Sequence, residues 1–243
     1  MNSIPFPKRR VNRAVALAQL SILERAYPDA ATALIYHSPF ELLIAVILSA
    51  QCTDARVNLT TPQLFARYPT PQALGAAHGA DVERLVKSCG FYRMKAKHIV
   101  SASRDLVKRF GGEVPATREA LESLAGVGRK TASVVLAVAF QEPAFAVDTH
   151  VFRVAHRLGL TTGTTPAGVE RDVTALLPRE RWTAAHHWLI LHGRAICKAP
   201  MPQCSRCPVS ELCPSAKIVA KTAAGRNRKG VPAAAVRRSA PHV

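Results

Sequence analysis

The chain has 243 residues, 48% of them hydrophobic, enough to bury a sizeable core and to exclude a wholly disordered protein. Lys and Arg number 33 against 16 Asp and Glu, a net charge of +17, which favours an anionic polymer or surface as partner. No apolar run reaches the roughly 18–20 residues that span a bilayer, so no membrane partner is expected.

The basicity is concentrated at the ends. Residues 217–243 carry seven basic side chains and no acid, and residues 1–13 carry Lys8, Arg9, Arg10 and Arg13 and no acid. Both read as flexible arms, solubilising or phosphate-seeking. Arg13, Gln19 and Glu24 interrupt any signal-peptide core. The cytosol is the simpler location, although the acid-free first 23 residues leave an organellar targeting segment open.

In chain order the patterning is helical almost throughout. Ser38-Pro39-Phe40-Glu41 carries a cap, a first-turn proline and a capping-box acid. The run that follows, 42–48, is apolar on every side, so its helix belongs in the centre of the core. Further helices are predicted over 54–65, from 70–71 onward, and over 81–87 and 95–110. Gly111-Gly112 breaks the chain, and Thr117 caps a short helix ending near 124. Helices over 130–140, 148–158, 165–177 and 179–194 complete an all-α chain without strand pairs or repeats. After 215 the composition shifts to Ala, Gly, Lys and Arg, where order is expected to end.

Four of six cysteines fall in one short run, Cys197-x6-Cys204-x2-Cys207-x5-Cys213, punctuated by prolines 200, 202, 208 and 214. Such a loop needs something other than backbone pairing to hold it, and four converging thiolates on a metal centre would do so. Disulfides suit a cytosolic chain poorly. Zinc and a four-iron cluster both remain open on spacing, the single close pair favouring iron–sulfur slightly. Cys52 and Cys89 lie apart and read as small buried apolar residues.

Leu124-Ala125-Gly126-Val127-Gly128-Arg129-Lys130-Thr131-Ala132 joins two short helices through a glycine turn. Glycines let backbone approach a phosphate, and the N–H groups of the next helix form an anion site that ignores base sequence. Lys130 sits in that helix's first turn, where the dipole, and burial if present, would favour a neutral amine. A neutral amine can attack a sugar carbon. By local sequence alone a phosphate-binding lysine is the simpler reading. Asp148, in Ala146-Val147-Asp148-Thr149-His150-Val151, either caps a helix or, facing Lys130 across a cleft, stabilises positive charge on a sugar. His150 reads as a DNA contact or a structural histidine.

These segments together resemble endonuclease III of the helix-hairpin-helix glycosylase superfamily, over about residues 12–216. Ser49-Ala50-Gln51-Cys52-Thr53-Asp54 and Gly90-Phe91-Tyr92 match as well. The resemblance implies two helical domains flanking a DNA cleft. One is a six-helix domain with the hairpin over 31–142; the other, over 1–30 plus 143–216, carries a [4Fe-4S] cluster on Cys197, Cys204, Cys207 and Cys213. Residues 217–243 form a basic tail outside the resemblance.

The implied activity is removal of oxidised pyrimidines from duplex DNA, with lyase cleavage of the abasic site. Lys130 is the implied nucleophile and Asp148 its carboxylate partner. Gln51 fills the gap, Phe91 acts as a wedge, and Gly126, Val127, Gly128, Arg129 and His150 contact DNA. The implied protein is a bacterial monomer working at the nucleoid. The chain departs from the family pattern at Ala125, where proline is common, and at Met94, where asparagine is frequent. An adenine mismatch glycosylase and a pyrimidine-dimer glycosylase are alternatives within the superfamily. A non-catalytic iron–sulfur DNA-binding protein is the alternative outside enzymes.

Overall fold

The computed structural model describes residues 6–219, and every regular element among them is a helix. Residues 214–219 are helical, past the point where order was expected to end, and the rest of the basic tail, 220–243, lies outside the described residues.

The first helix, α1 (Arg13–Ala26), is capped by Asn12, whose side-chain oxygen accepts from the Val15 N–H. In α2 (Pro39–Leu48), Ser38 Oγ accepts from the Glu41 N–H at 3.1 Å. Glu41 accepts from the His37 N–H at 2.7 Å, so the predicted box closes one residue further back than Ser38. From Phe40 to Leu48 only Glu41 escapes full burial, as an all-apolar helix requires. Next come α3 (Asp54–Arg67), α4 (Pro71–Gly75) and α5 (Gly79–Val86), with Thr53 and Thr70 capping the first two.

The long α6 (Tyr92–Phe110) begins three residues before the expected start. Gly90 at φ 64° and Phe91 at φ 45° turn the chain directly into it. Thr117 caps α7 (Arg118–Glu122), the hairpin turn follows, and α8 (Arg129–Ala139) leads back into the core. The last three are α9 (Thr149–Leu158), α10 (Pro166–Thr174) and α11 (Trp182–Ala195). The span expected as one helix over 179–194 starts as a 3-10 turn, Arg179–Arg181, before α11 takes over.

Two hydrophobic cores result. The first surrounds α2 and takes its buried residues from Leu34 to Ala144. The second unites α1 with α9, α10, α11 and the cysteine loop, from Ala16 to Cys213. The chain passes between them at Ala144 and Phe145, neighbours that belong to different cores. In the second core α11 lies close on α9 because position 193 is glycine: a Cβ there would meet His150 Cβ and Val154 Cγ2 at 3.1 Å.

Among the described residues four ion pairs tie the two halves: Arg129 and Arg118 to Glu170 at 2.9 and 4.0 Å, Arg194 to Asp54 at 2.9 Å, and Arg179 to Glu142. Partly exposed pairs of this kind contribute roughly 0–1 kcal/mol each, so they set orientation more than stability.

Candidate active site and metal centre

An open recess lies where the cores meet. The first half contributes Ser49, Asp54 and Lys130 to its lining, and the second contributes Asp148, His186, His187 and Arg194. Lys130 and Asp148, 18 positions apart and packed into different halves, therefore share one opening.

Asp148 caps its helix and also faces the recess. Its Oδ1 accepts from the Val151 N–H at 2.7 Å, capping α9, and the same residue lines the recess. Capping fixes the carboxylate at one place on the recess wall. Lys130 is exposed, so the burial entertained for it is absent. It is the second residue of α8, at the rim, and the helix enters the first core only from Ala132 onward.

His186 was missed from sequence. It is 5% exposed, donates through Nδ1 to the Ala146 carbonyl at 2.7 Å, and so braces the segment just before Asp148. Burial first, then the adjacent His187, push its pKa down to about 3, which leaves the ring neutral near neutral pH. His187 donates to the Thr183 carbonyl at 2.9 Å. The signal was available: two adjacent histidines inside an apolar helix have to be satisfied or functional.

The two hairpin glycines differ in kind. Gly126 has φ 78°, and a Cβ there would lie 2.9 Å from the His98 side chain, so the fold requires glycine. Gly128 has φ −100° and ψ −179°, and a Cβ there would meet nothing within 4 Å. The chain itself does not need that glycine. What its missing side chain preserves is open access to the start of α8, which no side chain caps. Gly126→Ala is therefore expected to cost about 1–3 kcal/mol in a thermal melt. Gly128→Ala should melt within about 0.5 kcal/mol of the parent and bind an abasic-analogue duplex about tenfold more weakly. Equal affinity would mean that no anion docks at this helix start.

Gln51 and Phe91 both stand exposed at turn tips in left-handed backbone, at φ 52° and 45°, and Phe91 is 70% exposed. Non-glycine residues rarely adopt that conformation, and it costs of order 1 kcal/mol or more. Val127 is buried and serves to pack the hairpin. Arg129 is bonded to Glu170, and His150 Nδ1 accepts from Arg153 Nη2 at 3.2 Å, so both have protein partners in this structure. Burial, above all, lowers the His150 pKa. Arg194 is bonded to Asp54 at the recess.

The four clustered cysteines are free thiols lining one apolar recess. Burial pushes the Cys207 thiol up to about 11 and raises Cys204 and Cys213, with the neighbouring sulfurs adding to each. Thiols raised in this way ionise together only around a cation. Arg157, buried on α9, holds the loop in place: it donates to the carbonyls of Lys198 and Ala199 at 2.7 Å and lies 3.5 Å from Cys197 Sγ. Among the described residues no three His, Cys, Asp or Glu side chains close around a point as a single ion requires. Zinc would draw all four sulfurs to about 2.3 Å from one centre. A four-iron cluster would give each thiolate its own iron.

Residues 44–179 match the family described as HhH-GPD superfamily base excision DNA repair protein. The chain is 50% identical over 199 residues to endonuclease III of Synechocystis sp., covering 82% of this chain and 91% of that protein. It is 45% identical over 203 residues to endonuclease III of Escherichia coli, covering 84% and 96%.

The chain belongs to the endonuclease III family of the HhH-GPD superfamily.

Structures of endonuclease III bound to DNA superpose on it. A trapped covalent intermediate gives a TM-score of 0.83 at 44% identity, covering 85% of this chain and 98% of that one. A non-covalent complex gives 0.84 at 43%, covering 87% and 99%. As an endonuclease III family member the chain is a base excision repair DNA glycosylase and abasic-site lyase, and the mismatch, dimer and non-catalytic readings give way.

Proposed function

We propose that the recess between the two cores receives a damaged pyrimidine nucleotide, or an abasic sugar, turned out of duplex DNA. The observation that carries this is the convergence of Lys130 and Asp148 on one opening from opposite halves of the protein. Turning a base out costs a few kcal/mol, least for a damaged one that already stacks or pairs poorly. Gln51 and Phe91, held forward on strained turns, occupy the space it leaves, and the start of α8 at Gly126, Val127 and Gly128 grips the backbone. On this reading Arg129 and His150 contact the DNA from either half. The superposed endonuclease III–DNA complexes support duplex DNA as the partner.

Lys130 attacks the sugar at C1′, the base leaves, and a Schiff base links protein to DNA. Loss of a proton from C2′ then breaks the 3′ C–O bond by β-elimination. Asp148 stabilises the developing sugar cation and takes up protons. Because Asn caps a helix as well as Asp, Asp148→Asn should keep α9 intact and lower turnover by about 10²–10⁴-fold. Unchanged single-turnover rates would remove Asp148 from the chemistry.

Cys197, Cys204, Cys207 and Cys213 hold a [4Fe-4S] cluster. When bound, it supplies four metal–thiolate links that fix a proline-rich loop. The two cores correspond to domains over 31–142 and over 1–30 with 143–216, and the protein acts as a monomer at the bacterial nucleoid. No helix among the described residues is long and apolar enough to cross a membrane.

The test is a panel of duplexes carrying thymine glycol, oxidised cytosine, an abasic site or an adenine mismatch. Excision of the two oxidised pyrimidines and nicking of the abasic site, with the adenine left in place, is the expected result. Gel shifts without any nicking would overturn the assignment.

A further inference from the structure

His186 and His187 stand side by side on α11, and both line the recess that holds Lys130 and Asp148. Each ring is fixed from behind. A carbonyl oxygen only accepts, so His186 Nδ1 carries a hydrogen for Ala146 at 2.7 Å, and His187 Nδ1 carries one for Thr183 at 2.9 Å. Burial above all lowers both pKa values, so neither ring takes a second proton near neutral pH. A ring in that state keeps a bare lone pair on Nε2, which accepts and cannot donate. Neither Nε2 bonds to another group among the described residues. Nor is either one of the atoms sealed inside without a partner, which are Gln19 Oε1, Arg157 Nε and Ser215 Oγ. Both therefore open onto the recess that the two residues line. The ring centres are 4.9 Å apart and the planes inclined at 73°, so the acceptors are offered as a pair. Much of the surrounding wall is apolar, with Leu34, Val46, Val134, Ile190 and Leu191. In such a wall an acceptor costs free energy when its guest offers it nothing.

We propose that His186 and His187 select the base, their Nε2 atoms accepting from the hydroxyl groups that oxidation adds to C5 and C6 of a pyrimidine ring. This rests on reading the recess as the seat of the extruded nucleotide. The chemistry matches in kind and in number. Undamaged thymine and cytosine present a methyl group or C–H on that edge and give the two acceptors no donor. A hydroxyl on each carbon supplies one O–H for each ring. A site built to bond a substrate hydroxyl rejects the analogue lacking it far more strongly than an apolar pocket rejects a missing methylene, because its own polar groups are left unpaired. A pyrimidine glycol, with hydroxyls on both carbons, satisfies both rings. A ring saturated by hydrogen alone satisfies neither.

The test compares single-turnover excision from duplexes carrying thymine glycol or dihydrothymine, which share the saturated ring and differ in the two hydroxyls. The wild-type protein should favour the glycol. His187→Phe keeps a flat ring but accepts nothing, and should lower the glycol-to-dihydrothymine rate ratio about tenfold, the loss of one hydrogen bond. His187→Gln, whose amide oxygen can stand where Nε2 stood, should recover much of the ratio. In His186→Asn the side-chain amide can still donate to the Ala146 carbonyl, and the ratio should fall as in His187→Phe. A ratio taken on one protein cancels any general loss of folding or of Lys130 chemistry. A ratio that stays at the wild-type value in His187→Phe and His186→Asn would overturn the proposal and leave the recess reading in place. Wild-type protein that nicks an abasic duplex but excises neither base would overturn that reading and the selection with it.

Discussion

Replacing Lys130 with glutamine is expected to abolish borohydride trapping of a protein–DNA adduct and to lower strand cleavage at an abasic site by about 10³-fold or more. The argument is chemical. Borohydride reduces a Schiff base to a stable amine, and only a nucleophilic amine forms one; an amide cannot. Lys130 lines the recess that also holds Asp148. Because it is exposed in the first turn of α8, glutamine can replace it without opening a cavity. Stability should stay within about 0.5 kcal/mol, so lost activity would report on chemistry and not on folding. DNA binding should survive in large part, because the open start of α8 is backbone. Normal cleavage and trapping by the variant would remove Lys130 from its role and transfer the search to another amine.

The second large effect is structural. Arg157→Met should destabilise the cysteine loop by about 3–5 kcal/mol, the range for uncovering buried polar groups by removing a charged partner. Arg157 is 3% exposed, and its guanidinium spans the carbonyls of Lys198 and Ala199. Methionine fills a similar volume but donates nothing, so those carbonyls are left buried beside Cys197. Iron content and the denaturation midpoint of the loaded protein should fall together. Arg157→Lys should recover only part, since one ammonium does not reproduce a flat fork that meets two carbonyls. A variant that holds full iron and melts like the parent would show that the four thiolate links suffice without the guanidinium.

Much of this protein is legible along the chain because its determinants are local. The caps predicted at Ser38 and Thr117 each accept the hydrogen bond expected of them, since a short side chain needs only the next three residues to do so. The all-apolar run in α2 dictates a central helix for the same reason: no orientation leaves it a polar face. Asp148 could be picked out as a cap, and it caps α9 while lining the recess. Less local features escaped. The burial of Lys130 depended on how far α8 sinks into the first core, and the 3-10 start of 179–194 on packing that periodicity does not encode. Arg157 looked like any basic residue late in a helix until the metal loop folded over it. His186 gave a signal, a polar pair in an apolar helix, but its bond to Ala146 joins residues 40 positions apart.

By itself the sequence determined that this is an all-helical chain, where most helices begin, and which lysine, carboxylate and cysteines have the chemistry to matter. Those properties follow from side-chain type and from neighbours a turn away. Only the tertiary structure decided which of them share a place: Lys130 with Asp148 on one recess between two cores, and Arg157 under the cysteine loop. Juxtaposition at long sequence separation comes from burying one apolar face against another, and spacing along a chain carries no record of that choice.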